Sequence, residues 1–271
     1  MSPEIEADLA LLRQAVAAAG DLALEHFVAR RGHWYKGPGQ VLTEADLEVD
    51  RLLHRHLIGA RPDDAFLSEE RADDLARLSR ARVWVVDPID GTRAFADGLP
   101  EFCISVALVT GDEPLLGAVL NPATGERFEA WRGGGAWLNG EQIRASSRRS
   151  LAGARLLSAR TEMRKRHWLD LLPEAEFTTI SSLAYKLALV AAGRFDGLLS
   201  LRASHDWDLA AAWLLLSEAG ARLTDAAGAA LAFNAPEPRH AGLVAAGTAV
   251  LHATLMARLQ DALPPALPER V

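Results

Sequence analysis

Two aspartates, Asp87 and Asp90, follow directly on an apolar run at residues 83–86 in a chain of 271 residues. Pro88 fixes its own φ angle and has no N–H to donate, so we expect the strand to end there in a sharp turn. Such a turn aims both carboxylates and the carbonyl of Ile89 at one point. Hard oxygen ligands with no Cys or His among them suit Mg²⁺ rather than Zn²⁺. The alternative is an ordinary turn in which Asp and Gly are only turn formers.

Gly91 and Thr92 complete this segment, which reads DPIDGT over residues 87–92. A glycine lets the backbone approach a ligand closely, and two successive N–H groups can hold a phosphate oxygen. The segment therefore predicts a site that combines a divalent metal with a phosphate group.

Three further acidic segments lie elsewhere in the chain. Glu69 and Glu70 follow a short β-type run, Asp208 lies in the first turn of an Ala/Leu-rich helix, and Asp46 begins a second helix. Each has an ordinary structural explanation. Adjacent glutamates are usually solvated, Asp208 can interact with the helix dipole, and Asp46 fits a capping box followed by exposed acids. One segment alone does not choose between these alternatives.

Together these segments resemble the inositol monophosphatase superfamily. The matching segments follow the family's order, from about residue 36 to residue 247: VLTEAD at 41–46, SEE at 68–70, DPIDGT at 87–92, WDLAA at 207–211 and EAG at 218–220. The resemblance implies a layered αβαβα sandwich with an α+β N-terminal half and an α/β C-terminal half. It also implies a Mg²⁺-dependent, lithium-sensitive phosphomonoesterase that acts by metal-activated water.

The resemblance assigns roles to single residues. It implies the metal ligands Glu69, Asp87, the Ile89 carbonyl, Asp90 and Asp208, which would hold two Mg²⁺ ions. A third, weaker ion would lie near Glu69. Thr92, paired with Asp46, would orient the attacking water, and Glu70 would support them. The backbone at Gly91 and Thr92 would help to hold the phosphate. Lys36 falls in the loop that family members place over the site.

A few positions bear on the substrate. Inositol-specific members carry a carboxylate where this chain has Leu201, which cannot grip hydroxyl groups. Lys186, one of three lysines, is at the position where bisphosphate nucleotidases carry a lysine that meets a second phosphate. Arg160 and Arg202 are further cations on the expected substrate side. An ordinary surface lysine or arginine is the alternative for each of them.

These features are most similar to bacterial 3′(2′),5′-bisphosphate nucleotidases. We therefore expect hydrolysis of 3′-phosphoadenosine 5′-phosphate to AMP and phosphate. One alternative is a phosphatase of inositol 1-phosphate or another sugar phosphate. A second is a catalytically inactive relative that binds metabolites and regulates a partner.

Composition restricts the class of protein. Acids outnumber bases by 36 to 29, which gives a net charge of −7 and disfavours a nucleic-acid partner. The longest apolar run covers residues 209–216, whereas a membrane helix needs about 20 residues. The one cysteine excludes a disulfide framework and fits the cytoplasm. We expect a small phosphorylated metabolite as the partner, no membrane association, and a homodimer, since family members are commonly dimers.

The surrounding elements must position these residues. Apolar spacing predicts a first helix over residues 5–27 and a second to about residue 58, followed by short β-type runs. After a small, basic segment near residues 145–151, strands and helices alternate. We predict an N-terminal α+β domain at residues 1–147 that carries most metal ligands. A C-terminal α/β domain at residues 148–271 would carry Asp208 and the specificity residues.

Overall fold

The computed structural model describes residues 2–29, 33–37, 40–73 and 75–262. Near the N-terminus, β1 (His33–Gly37) and β2 (Gln40–Thr43) form an antiparallel hairpin. Seven further strands form a sheet in the order β3 (Ala65–Ser68), β4 (Arg82–Asp90), β5 (Cys103–Thr110), β6 (Glu113–Asn121), β7 (Glu126–Trp131), β8 (Ala136–Leu138) and β9 (Glu141–Ile143). Its first pair is parallel and the other pairs are antiparallel.

A second sheet has five strands. Their order is β11 (Glu176–Thr179), β10 (Arg155–Ser158), β12 (Gly197–His205), β14 (Arg239–Ala246) and β13 (Arg222–Asp225). The pairs of β10 with β11 and β12 are parallel, and those of β14 with β12 and β13 are antiparallel. The mixture of parallel and antiparallel strands fits the predicted α/β character of this half of the chain.

Eight helices flank the two sheets within the described residues. They are α1 (Pro3–Ala29), α2 (Glu44–Ala60), α3 (Thr92–Ala96), α4 (Arg160–Arg166), α5 (Trp168–Leu171), α6 (Leu183–Ala191), α7 (Asp206–Glu218) and α8 (Ala249–Ala262). None of the helices in this part of the chain is both long and apolar enough to cross a membrane.

The strand β4 shows how the layers form. Its side chains alternate between the two faces of the sheet. Trp84 and Val86 pack with the apolar residues of α1 and α2, whereas Val83 and Val85 pack with those of α6 and α7. On the far face of the second sheet, Leu255 of α8 packs against β10, β12 and β14. The order helices, sheet, helices, sheet, helices is the predicted αβαβα sandwich, which is confirmed.

The predicted end of the strand at Pro88 is wrong, because β4 continues to Asp90. Asp87 pairs with Ser105 and Asp90 pairs with Cys103, so two residues of β4 oppose one residue of β5. This is a β-bulge, and a proline fits there because the ladder demands no N–H from it. The bulge supplies the change of direction that we expected from a turn.

The predicted domain boundary at 147/148 falls in the segment between β9 and β10. The seven-stranded sheet ends before it, and the five-stranded sheet begins after it. The division into two domains stays a prediction.

Candidate active site

Three aspartates from two distant parts of the chain meet at one place. Asp87 and Asp90 lie at either end of the bulge in β4, and Asp208 lies in the first turn of α7. One carboxylate oxygen from each lies within 4.8 Å of the others. The bulge matters here because it brings two carboxylates of one strand to the same point.

Burial and mutual repulsion raise the pKa of these carboxyl groups. Burial is the largest cause for Asp87, and the negative charges of Glu69, Asp90 and Asp208 raise its pKa further. Burial also raises the pKa values of Asp90 and Asp208. Two unit charges about 4 Å apart interact by about 4 kcal/mol at an effective dielectric constant near 20. Such a cluster must take up protons or bind cations.

Backbone and hydroxyl donors fix the orientation of the carboxylates. Oδ2 of Asp90 accepts hydrogen bonds from Ser182 Oγ and from the Ala184 N–H, both at 2.6 Å. Oδ2 of Asp208 accepts one from the N–H of His205 at 2.7 Å. Each bond holds one oxygen and leaves the other for the centre of the cluster. Sequence reasoning did not find Ser182, whose visible signal is only its place as the N-cap of α6.

The donors in this cluster fit Mg²⁺. All of them are carboxylate or carbonyl oxygens, the hard ligands that Mg²⁺ prefers. Glu69 lies close enough for its charge to raise the pKa of Asp87. The Thr92 hydroxyl lies 3.0 Å from the carbonyl oxygen of Ile89, which belongs to the bulge between Asp87 and Asp90. The role of this carbonyl as a metal ligand stays a prediction.

Thr92 and Asp46 form a hydrogen-bonded pair next to these carboxylates. The Thr92 hydroxyl lies 3.1 Å from Asp46 Oδ1, and it can donate its one proton either there or to the Ile89 carbonyl. The N–H and hydroxyl of Thr43 donate to Asp46 Oδ2 at 2.7 and 2.6 Å. The capping box is therefore present and is also part of the site. Burial raises the pKa of Asp46 to about 6, and the charge of Glu70 adds to the rise.

Gly91 has the backbone geometry of a tight approach. Its φ is +93°, and a Cβ atom there would lie 2.7 Å from the carbonyl oxygen of Glu101. Both facts favour glycine at this position. The N–H groups of Gly91 and Thr92 follow directly on Asp90, a member of the carboxylate cluster.

Lys186 lies on α6 and is 2% exposed. It lines an inner cavity of about 140 Å³ together with Asp90, Asp208 and Arg202. Burial lowers its pKa to about 8, opposed by the negative charges of Asp90 and Glu162. The predicted surface alternative is therefore wrong: this lysine is buried beside the carboxylates.

Two larger cavities share Arg202 with the inner one. The outer cavity, of about 360 Å³, is lined by Gly91, Arg93, Arg160 and Arg202 among others. The side cavity, of about 350 Å³, is lined by Arg93, Thr161, Glu162, Lys165 and Arg202. The predicted cations Arg160 and Arg202 therefore line these cavities together with Arg93 and Lys165, which were not predicted. We call the three cavities together the cleft. Lys36 lies in β1, and its side chain is outside the part of the structure that is described.

The sequence matches a known protein family. A family model described as the inositol monophosphatase family matches residues 4–263. The chain belongs to this family.

Relatives in the inositol monophosphatase family cover most of the chain. An inositol-1-monophosphatase of Rhizobium meliloti is 36% identical over 237 residues, which is 84% of this chain and 86% of the relative. A Nus factor SuhB of Vibrio cholerae is 33% identical over 201 residues, which is 71% of this chain and 74% of the relative. Membership of this family supports phosphatase activity for the chain, and the enzymes of the family are generally metal-dependent.

Solved structures of the family share the fold. The extragenic suppressor protein SuhB of Bartonella henselae has a TM-score of 0.85 and 28% identity, covering 95% of this chain and 100% of that chain. An IMPase of Thermotoga maritima has a TM-score of 0.83 and 28% identity, covering 96% of this chain and 98% of that chain. The layered sandwich is therefore the family fold.

Proposed function

We propose that this family phosphatase is Mg²⁺-dependent and prefers a phosphomonoester that carries a second anionic group. The substrate that best fits is 3′-phosphoadenosine 5′-phosphate, which would give AMP and phosphate. The observation that carries the proposal is the buried ammonium group of Lys186, which faces the same cavity as Asp90 and Asp208.

The environment of Lys186 favours an anionic ligand. Removing an ammonium group from water is costly unless it is paired. No described residue accepts a hydrogen bond from its side chain, although the charges of Asp90 and Glu162 act on it. Arg202 adds a second positive charge to the same cavity. A second phosphate of the substrate would pair with both cations, whereas a neutral sugar ring would leave them unpaired.

The chain's own residues would divide the work. Glu69, Asp87, Asp90 and Asp208 would hold Mg²⁺. Divalent cations there would acidify water and neutralise the phosphate oxygens. With its proton donated to Asp46, the Thr92 hydroxyl would use its lone pairs to orient the attacking water. Positioning and electrostatics of this kind supply most of the catalysis of phosphoryl transfer.

Inositol 1-phosphate is the second candidate substrate. It is favoured by the relative from Rhizobium meliloti, whose name is inositol-1-monophosphatase. The absence of a carboxylate at Leu201 speaks against it. An inactive regulator is disfavoured, because the carboxylates and Thr92 are all present. Lithium sensitivity, a homodimer and a cytoplasmic location remain proposals that follow from the family resemblance and the composition.

The experiment measures phosphate release with Mg²⁺ from equal concentrations of 3′-phosphoadenosine 5′-phosphate and inositol 1-phosphate. We expect a kcat/KM for the nucleotide at least about tenfold higher, since a charged hydrogen bond contributes about 1.5–3 kcal/mol. Reactions with EDTA serve as the control. A preference for inositol 1-phosphate would overturn the substrate, and no release from either substrate at any Mg²⁺ concentration would favour the inactive regulator.

A further inference from the structure

The strand β12 also contains a β-bulge, and its residue Arg202 lines the same inner cavity as Asp90 of β4. Ser200 pairs with Leu243 and Ala203 pairs with Ala241, so Leu201 and Arg202 together oppose the single residue Gly242. The φ of Gly242 is +72°, and a Cβ atom there would lie 3.2 Å from the carbonyl oxygen of Ser200. The extra residue of β12 and the positive φ of Gly242 in β14 therefore both belong to the bulge. It takes the N–H of Leu201 out of the ladder between them.

Glu162 of α4 accepts the hydrogen bond of the Leu201 N–H, which has no acceptor in the neighbouring strand. The N–H of Leu201 donates to Glu162 Oε1 at 2.5 Å, and Ser200 Oγ donates to Oε2 at 2.9 Å. Glu162 is 4% exposed. Both carboxylate oxygens thus bind the bulged segment, and the buried charge is met by two donors. An N–H that is withdrawn from water without an acceptor destabilises the fold, so this contact favours one conformation of the bulge.

The bulge determines where Arg202 points. A bulge changes the alternation of side chains along a strand and re-aims the residues within it. Ser200 remains buried, whereas Arg202 is exposed and lines the inner, outer and side cavities. Its positive charge acts on both Lys186 and Asp208. The side chain thus lies where the metal carboxylates meet the wider cleft.

We propose that Glu162 is a positioning residue: it clamps the bulge at residues 200–202 and so keeps Arg202 aimed at the second anionic group of the substrate. The identity of that group rests on the proposed function above. Glu162 acts through the strand, because both its oxygens are bonded to β12.

The first experiment tests the clamp without any substrate. Amide hydrogen exchange of Leu201 is measured on the full chain with Mg²⁺ for wild type, Glu162→Asp and Glu162→Gln. Glu162→Asp keeps the charge but shortens the reach, so exchange should rise about tenfold or more. Glu162→Gln keeps the reach and an acceptor oxygen, so exchange should stay near wild type. Wild-type protection in Glu162→Asp would overturn the clamp. Glu176→Asp, an exposed change on β11, is the matched control.

The second experiment tests the consequence for Arg202. Steady-state kinetics with 3′-phosphoadenosine 5′-phosphate should show KM raised about tenfold in Glu162→Asp, with a smaller change in kcat, and little change in Glu162→Gln. Glu162→Asp should add little to Arg202→Ala in the double variant, because both act on one contact. Additive losses, or Glu162→Gln behaving like Glu162→Asp, would overturn the positioning role.

The two experiments separate the two proposals. If the wild type releases phosphate from neither candidate substrate, the proposed function fails. The hydrogen exchange of Leu201 still decides the clamp in that case. If the nucleotide is hydrolysed but KM does not respond to Glu162→Asp, only the role of Glu162 is lost.

Discussion

Asp90 is the residue at which the two halves of the molecule meet. One of its oxygens accepts two hydrogen bonds from the start of α6, and the other oxygen is left for the cluster with Asp87 and Asp208. The two hydrogen bonds hold Oδ2 of Asp90, so its Oδ1 can face the carboxylates of Asp87 and Asp208. Single residues at this site therefore serve both structure and chemistry.

Asp90→Asn should nearly abolish turnover without unfolding the protein. The amide keeps the size of the side chain but removes one negative charge that the proposed Mg²⁺ site would require. We expect kcat to fall about 100- to 1,000-fold or more. Phosphate release and circular dichroism measure the two effects, with the exposed Asp112→Asn as the control. Full activity in Asp90→Asn would contradict the metal assignment.

Thr92 carries the hydroxyl that pairs with Asp46. Thr92→Ala removes this hydroxyl, so we expect kcat to fall about 100-fold or more with a smaller change in KM. Thr92→Ser keeps the hydroxyl and should retain most of the activity. The comparison of the two variants at saturating substrate is the measurement. Equal loss in both would mean that the methyl group, rather than the hydroxyl, is what the site needs.

Lys186, if it binds the substrate as proposed, should make KM depend on pH. Its pKa is lowered to about 8, so the ammonium loses its proton as the pH rises through this value. KM for 3′-phosphoadenosine 5′-phosphate should therefore rise above pH 8. Lys186→Met should raise KM about 10- to 100-fold at pH 7 and remove this pH dependence. A Lys186→Met variant with unchanged KM would show that another cation meets the second anionic group.

At the scale of elements, the cleft is built on two β-bulges. In β4 the bulge separates Asp87 from Asp90, and in β12 it presents Arg202. Each bulge sets two residues of one strand against one of its neighbour, which turns the side chains at the strand end. The carboxylate cluster and the position of Arg202 thus both depend on a β-bulge.

Gly91 directly follows the bulge in β4, and its substitution tests how much steric change this turn tolerates. Gly91→Ala places a Cβ atom 2.7 Å from the Glu101 carbonyl, at a φ of +93°. We expect the free energy of unfolding to fall by about 1–3 kcal/mol, together with a loss of activity. Urea unfolding measures the change. Gly59→Ala in α2 is the control: nothing lies within 4 Å of the new atom, and a helical alanine should stabilise by about 0.5–1 kcal/mol.

At the scale of the whole molecule, the middle layer unites the two sheets. Helices α6 and α7 pack between them, and the apolar cluster around these helices includes residues of both sheets. The start of α6 holds Asp90, and the start of α7 carries Asp208. The site therefore depends on how the sheets are assembled, and metal binding and global stability should be coupled.

This coupling should appear in the pH dependence of stability. Burial raises the pKa of Asp46 from 3.8 to about 6, and the pKa values of Asp87, Asp90 and Asp208 are raised too. Between pH 4 and 6 the folded state then binds more protons than the unfolded chain. Without metal, the free energy of unfolding should fall as pH rises through this window.

Thermal unfolding from pH 4 to 7.5, with EDTA and with Mg²⁺, measures this effect. We expect Mg²⁺ to raise Tm more at pH 7 than at pH 5, because cations offset the repulsion between ionised carboxylates. Asp46→Asn should make the Tm of the metal-free protein depend less on pH between pH 4 and 6. Parallel curves with and without Mg²⁺ would argue against coupling between the carboxylates and the metal.

The sequence alone determined the type of site and its layers. DPIDGT after an apolar strand, with acidic segments in family order, predicted a carboxylate cluster. Alternation of strands and helices predicted α/β layering, and the family resemblance implied the αβαβα order of the layers. Both inferences work because strand alternation, helix periodicity and ligand chemistry are local properties of the chain.

Only the tertiary structure decided which residues support the site. Pro88 within β4 looks like a strand end until its pairing with β5 reveals a bulge. The sequence does not distinguish Lys186 from a surface lysine. Lys186 is buried because α6 packs between the two sheets. Ser182 and Glu162 reach partners 92 and 38–39 residues away. Contacts over such distances depend on packing rather than on local pattern, so the sequence pattern alone does not predict them.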